Sequence, residues 1–177
     1  MADGLRIERR DATSAWPEVK TLAEIVYTPE LAAHDEWHDV VWSHAEEWLM
    51  GYCGDTLVSV AGIHRRTVEH NGVAQQIAGI GGVKTHPAYE KRGFSTAVLE
   101  ATKIVIDEEI GPAFSVIFVE AHNRLFYAKR GWQVFDGIVI VEQDGDYVKF
   151  HEQGTMVRDG AEAAPVEGTI DLKGRPW

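Results

Sequence analysis

The stretch that most constrains the fold is a strand that enters a short loop and opens directly onto an amphipathic helix. Val73–Thr85 reads as a strand rich in Gly and Ile, and Pro87 closes it. Gly93–Glu109 then carries Phe94, Ala97, Val98, Ala101, Ile104 and Val105 at helical spacing. Small residues (Gly93, Ser95, Ala97) fall at the helix start, where the backbone can be approached closely. The first N–H groups of a helix lack intrahelical partners and sit at the positive end of its dipole. With Lys91 and Arg92 beside them, they form an anion site suited to a pyrophosphate.

Around this segment the patterns alternate between strand and helix. Leu5–Arg10 alternates as a strand. A helix is expected from an N-cap at Ser14 to Tyr27, Pro29 interrupts, and a second helix over Leu31–Trp48 is predicted from Trp37, Val40, Val41, His44 and Trp48. The density of Trp37, Trp42 and Trp48 suits core packing or the lining of a ligand cleft. Leu49–Cys53 and Thr56–Val68 read as a hairpin about Gly54-Asp55, with a second turn at His70-Asn71-Gly72 leading into Val73–Thr85. Gly111-Pro112 ends the helix that follows. Ala113–Val119 is apolar enough for a buried central strand, and His122–Lys129 is a short helix ending near Gly131. Trp132–Glu142 and Tyr147–Val157 read as a last hairpin around Asp144-Gly145, Asp159–Ala164 as a loop and Thr169–Trp177 as a tail. The order predicts one mixed α/β (α+β) domain over residues 1–177, its mostly antiparallel sheet flanked by helices.

Composition narrows the function. The 177 residues suffice for one core. A net charge of −11 argues against a nucleic-acid partner and suits either a cationic substrate or solubility alone. No apolar run approaches the ~18 residues that span a bilayer, and the first residues show no secretory pattern, so a cytoplasmic protein is expected. Cys53 is the one cysteine, which excludes an intrachain disulfide. His34 and His38 stand at i and i+4, but Asp35 and Glu36 lie between them, away from a metalloprotease pattern, and no metal is expected. His64-Arg65-Arg66 reads as a solvated strand end.

Glu90-Lys91-Arg92-Gly93-Phe94-Ser95 resembles the [Gln/Arg]-x-x-Gly-x-[Gly/Ala] motif of the GNAT superfamily of N-acetyltransferases, with Glu90 and Ser95 as departures. Downstream, Asn123-Arg124-Leu125-Phe126-Tyr127-Ala128-Lys129-Arg130-Gly131-Trp132 is similar to that family's Asn-x-x-Phe-Tyr-x-x-x-Gly-[Phe/Trp] signature. The resemblance implies the GNAT fold and acetyl-CoA as acetyl donor. It implies that the backbone of about Arg92–Thr96 holds the pyrophosphate, with Lys91, Gly93, Phe94 and Ser95 in the cradle and Asn123 in the second motif. Val83, Lys84 and Thr85 would pair with the pantetheine arm. A main-chain N–H near Val83 would stabilise the oxyanion. Tyr127 would be the general acid for the departing thiolate, as a phenol of pKa ~10 can be.

Within the superfamily, residues 35–177 most resemble the aminoglycoside 2'-N-acetyltransferases. The likeness lies in Asp35-Glu36-Trp37, Ile80-Gly81-Gly82-Val83, Leu125–Trp132, Gly154-Thr155-Met156-Val157 and a final Trp177. It implies an acceptor site near Asp35, Glu36, Trp37, Gly81, Gly82, Glu120, Glu152 and Trp177, a homodimer, and a role in antibiotic resistance. Gly81 stands where those enzymes carry a Glu that handles the amine proton. The base is left open between a water chain, Glu120, His86, Asp35, Glu36 and Glu152. His151-Glu152-Gln153 and the basic Lys173–Trp177 tail replace acidic runs, so an aminoglycoside with fewer amines and its own carboxylate, such as kasugamycin, is favoured, with Lys173 or Arg175 as its carboxylate partner. Two other readings are an N-acetyltransferase for another small amine or protein N-terminus, and a non-catalytic acetyl-CoA-binding domain.

Overall fold

The computed structural model describes residues 4–28, 37, 39–150 and 154–177. The chain divides into two compact units: Met1–Val40, His44–Ile63 and Gly81–Val105 form the first, Val41–Ser43, His64–Ile80 and Ile106–Trp177 the second.

The first unit contains strands β1 (Leu5–Asp11) and β2 (Glu47–Cys53), the start of β3 (Thr56–His70), the end of β4 (Val73–Thr85), and helices α1 (Ala12–Val26) and α2 (Phe94–Val105). β1 pairs antiparallel with β2, Leu5 opposite Cys53 and Asp11 opposite Glu47, and β2 pairs antiparallel with β3 across the expected Gly54-Asp55 turn. The cap of α1 is Asp11 rather than Ser14. Asp11 Oδ1 accepts from the N–H groups of Thr13 (3.0 Å) and Ser14 (3.1 Å), and the Ser14 hydroxyl donates to the other carboxylate oxygen (2.6 Å). An extended residue with a charged acceptor satisfies two helix donors at once, which Ser14, already one turn inside, does not. Ala15, Val19 and Leu22 form the buried stripe of α1 and pack with Trp48, Met50, Tyr52 and Val60.

That packing overturns part of the predicted second helix. Residues 31–36 and 38 lie outside the described residues, but Val40–Ala45 are not helical and Glu47 already begins β2. Trp48, Met50 and Tyr52 bury with period two in the core beneath α1, so the helical spacing of Trp37, Val40, Val41, His44 and Trp48 is incidental. The predicted helix over 93–109 ends at Val105. Ile106–Ile110 form one wider π turn, with Gly111 N–H bonded to Ile106 O at 2.9 Å.

The second unit holds the rest of β3 and β4, the fully buried β5 (Phe114–Phe118), β6 (Gln133–Val134), β7 (Ile138–Gln143), β8 (Asp146–Lys149), β9 (Thr155–Asp159), β10 (Thr169–Asp171) and the short helix α3 (Arg124–Ala128). β5 runs parallel to β4 over Ala78–Ile80 and antiparallel to β9, which also pairs with β6. The predicted last hairpin is therefore shorter than expected. β7 and β8 do turn at Asp144-Gly145, but Gln133–Val134 and Thr155–Asp159 pair with each other instead of extending it. The tail is not loose. Its Thr169–Asp171 becomes β10, parallel to β7 and antiparallel to the end of β3, because Ile170 and Leu172 are wholly buried there. The architecture is the expected mixed α/β one, a mostly antiparallel sheet with few flanking helices.

Candidate active site

The end of β4 and the residue that follows it are locked to β3 within the first unit. His86 N–H donates to Val58 O (2.8 Å), and the Ser59 hydroxyl donates to Lys84 O (3.0 Å) and lies 3.0 Å from the Thr85 hydroxyl. The parallel pairing of β4 with β5 stops at Ile80 opposite Ile117, while β4 continues as strand to Thr85. Among the described residues, Gly81–Thr85 pair with no strand on the β5 side. Val83 and Thr85 there are half-buried, with no described strand on that side to take up their main-chain groups.

Pro87–Tyr89 then form a single 3₁₀ turn, with His86 Nδ1 accepting from the Ala88 N–H at 3.1 Å. Lys91 (φ 59°) and Gly93 (φ 84°) both take the left-handed conformation, which bends the chain into α2. A Cβ added to Gly93 would meet nothing within 4 Å, so the space over the helix start is open. Phe94 is buried and anchors the helix, whereas Lys91, Arg92 and Gly93 are exposed and Ser95 and Thr96 half-exposed. The Arg92 guanidinium lies 5.1 Å from the rings of both Tyr89 and Phe94, which holds its charge beside the helix start. This exposed, positively charged helix start is the place where the sequence predicts an anion cradle.

On β4, Gly82 has φ 59°, and a Cβ there would come within 2.7 Å of Trp48 Cη2. Gly81 is buried and its carbonyl lies 3.1 Å from where a Cβ on Gly62 would sit, so Gly62 and Gly82 pack against the indole and the neighbouring backbone with no room for a side chain. Two residues on, Lys84 Nζ donates to Gly82 O (3.1 Å) and lies 5.6 Å from the Tyr27 ring and 5.9 Å from the Trp48 ring. Burial lowers the Lys84 pKa to about 8. Sequence reading assigned Lys84 to the cofactor strand only through its backbone. A lysine two residues after a Gly-Gly pair, at the end of a run of apolar residues and glycines from Ile77 to Val83, was the available signal.

In the second unit, Glu120 follows β5 and starts a 3₁₀ turn over Ala121–Asn123. Its carboxylate lies 3.2 Å from His122 Nε2. Asn123 is half-buried at the start of α3 and makes no side-chain cap there. Tyr127 is buried, its ring edge-on to Phe126 (5.1 Å) and Trp132 (6.4 Å), and its carbonyl accepts from Arg130 and Trp132 N–H groups as α3 ends. Trp177 is 4% exposed and lies flat on Gly79, where a Cβ would fall 2.1 Å from Trp177 Cε2. Its Nε1 donates to Val116 O (3.2 Å), and its ring stacks on His64 at 5.3 Å and 17°.

The His64-Arg65-Arg66 stretch is accordingly not a solvated strand end. His64 is buried under Trp177, and Arg66 donates to Arg175 O (2.6 Å) and Ser43 Oγ (2.9 Å) while lying 4.9 Å over the Trp177 ring. The tail charges are also engaged. Lys173 bridges Glu69 (2.9 Å) and Asp171 (2.7 Å), and Arg175 pairs with Glu142 (3.1 Å). Trp37 is half-buried in a turn, and Trp42 sits edge-on to Phe150 at 6.0 Å. Asp35, Glu36, Glu152 and the His34/His38 pair lie outside the described residues.

The acetyltransferase (GNAT) domain family matches residues 9–135, and the chain belongs to this family. Among solved structures, the fold is similar to that of a GNAT-family N-acetyltransferase from Escherichia coli in complex with CoA (TM-score 0.63, 14% identity, 95% of this chain and 89% of that one). It is similar to a GNAT-family acetyltransferase from Brucella melitensis in complex with acetyl-CoA (TM-score 0.61, 11% identity, 93% and 94%). A conserved protein from Enterococcus faecalis also matches (TM-score 0.58, 19% identity), with 74% of this chain covering 33% of that one, so the chain spans about a third of its length. At these identities the likeness is one of fold. A comparison with curated proteins finds no match. No helix among the described residues is long and apolar enough to cross a membrane.

Proposed function

We propose that this chain, as a single functional domain, is an acetyl-CoA-dependent N-acetyltransferase acting on the amine of a small molecule. The observation that carries the reading is the passage through residues 83–97, where a strand continues past its last parallel partner and turns into an open, positively charged helix start. Two structures of similar fold contain CoA or acetyl-CoA, which supports the same donor here.

In this reading the N–H groups of Arg92–Thr96 hold the pyrophosphate, Lys91 and Arg92 add charge, and the Val83–Thr85 main chain aligns the pantetheine arm. The Val83 N–H steadies the negative charge that grows on the thioester oxygen as the neutral amine attacks. Tyr127, through the resemblance of its motif, delivers the proton to the leaving thiolate. Asn123 belongs to the same motif. The base is unassigned. Glu120, with His122 as its neighbour, is the described acid among the alternatives.

For the acceptor we propose an aminoglycoside acetylated at its 2'-amino group, with a kasugamycin-like molecule favoured and antibiotic resistance as the consequence. The motifs around Gly81-Gly82 and Leu125–Trp132 support this. So does the −11 charge, which suits a cationic acceptor and no nucleic acid. The protein would act in the cytoplasm as a homodimer. The test is release of free CoA thiol from acetyl-CoA with a panel of amines including kasugamycin. Release with aminoglycosides alone is expected. Release only with other amines overturns the acceptor, and CoA binding without release for any amine overturns the enzyme.

A further inference from the structure

A charge taken out of water needs a counter-charge or enough hydrogen bonds to replace its hydration. Among the described residues, several cations are satisfied in that way: Arg158 pairs with Asp107, Lys173 with Asp171 and Glu69, and Arg175 with Glu142. Lys84 is different. Its ammonium is half-buried between the Tyr27 and Trp48 rings, it spends one of three donors on the Gly82 carbonyl, and no carboxylate of the described residues pairs with it.

Its place gives this significance. Lys84 sits next to Val83 on the free end of β4, and its ammonium reaches back to Gly82, beside the buried Gly81 where the resembling enzymes carry a carboxylate. Position 81 itself carries no carboxylate in this chain, and on the same strand Lys84 sets a positive charge against the Gly82 carbonyl. Glycine at 82, exposed and left-handed, leaves the ammonium reachable from solvent. The Tyr27 and Trp48 rings, 5.6 and 5.9 Å from Nζ, offer faces that tolerate a cation.

We propose that Lys84 is a specificity-determining residue that binds a carboxylate on the acceptor, so that the preferred substrate is an amine whose molecule also carries an acidic group. This rests on the reading of the chain as an N-acetyltransferase and moves the carboxylate partner from Lys173 and Arg175, both already ion-paired, to Lys84. Depression of the lysine's proton affinity by burial is what an unpaired ammonium in this setting shows, and a bound carboxylate reverses it.

The experiment is calorimetric binding of kasugamycin and of its methyl ester to the CoA-saturated protein, for the native chain, Lys84→Met and Lys84→Arg, with thiol release followed in parallel. A charge-assisted hydrogen bond predicts that the acid binds the native protein roughly tenfold or more tightly than the ester. The preference should vanish in Lys84→Met and persist in Lys84→Arg, a ratio that a loss of packing alone does not change. Equal binding of acid and ester to the native protein, a preference that survives in Lys84→Met, or no binding of either probe overturns the proposal. Should Lys84→Met not fold, Lys84→Gln takes its place. Acid preference without thiol release leaves Lys84 in its role and overturns acetyl transfer. Thiol release without acid preference does the reverse.

Discussion

At the scale of single residues, two side chains and one glycine carry testable consequences. Lys84 has a proton affinity lowered by burial to about 8 from 10.5, so between those values the unfolded chain binds more protons than the folded one. Stability then rises with pH across that window and is flat with respect to Lys84 below it. Urea denaturation between those pH values should show the native protein gaining on Lys84→Met as pH increases. A parallel pair of curves would mean that the ammonium is not desolvated. Tyr127, buried in its motif, is expected to matter for turnover rather than for binding. Tyr127→Phe should lower kcat severalfold or more while leaving acetyl-CoA affinity nearly unchanged, in line with the ~10²-fold typical of a lost general acid; unchanged turnover removes it from the mechanism. Gly79 is a steric matter. A methyl group there would collide with the Trp177 indole at 2.1 Å, and the ring would have to leave His64 and the Val116 carbonyl. Gly79→Ala should cost about 1–3 kcal/mol, read by urea denaturation, and shift tryptophan emission to the red.

At the scale of elements, α1 and β10 show how local chemistry and tertiary demand divide the work. The start of α1 depends on Asp11, whose carboxyl is held below its ordinary value of 3.8 by the Ser14 hydroxyl, then by the Ser14 and Thr13 N–H groups. A depressed carboxylate stabilises the fold above its unfolded value and loses that contribution as pH falls through the folded one. Asp11→Ala should therefore lower Tm at neutral pH. Asp11→Asn, which still caps, should keep most of the Tm and flatten the acid limb of the stability curve. An unaltered acid limb would show that the cap does not titrate with folding. β10 is the opposite case. Three residues of a tail with weak strand character become a strand because β3 and β7 leave hydrogen-bonding edges and Ile170 and Leu172 have an apolar site to fill. Strand propensity played little part in that outcome.

For the whole molecule, the net charge of −11 sets the long-range field. A cationic acceptor would be drawn in by this field, and salt shortens its reach from ~10 Å at 0.1 M to ~3 Å at 1 M. The kcat/KM for a polycationic amine should fall as ionic strength rises, with kcat nearly constant. Indifference to salt would mean that the surface charge serves solubility alone. The chain belongs to the GNAT acetyltransferase domain family over residues 9–135, the setting in which such steering would operate.

Much of this was legible in the residues themselves. The strand-loop-helix from Val73 to Val105, the turns at Gly54-Asp55, Asn71-Gly72 and Asp144-Gly145, the buried β5 and the cofactor-side motifs are all local patterns, and local sterics and periodicity suffice to read them. Tertiary structure decided what local pattern leaves degenerate. Trp48 fits a helix or a strand by spacing alone, and only the core beneath α1 selects the strand. His64 and Arg66 look like solvated polar residues until Trp177, more than a hundred positions away, covers them. Lys173 and Arg175 look available until their carboxylate partners arrive from other strands, and Lys84 looks like one more basic residue until the fold leaves it with no carboxylate partner among the described residues. The charge state and partnership of a side chain depend on what the fold brings within a few ångströms of it, and a linear pattern does not encode that distance.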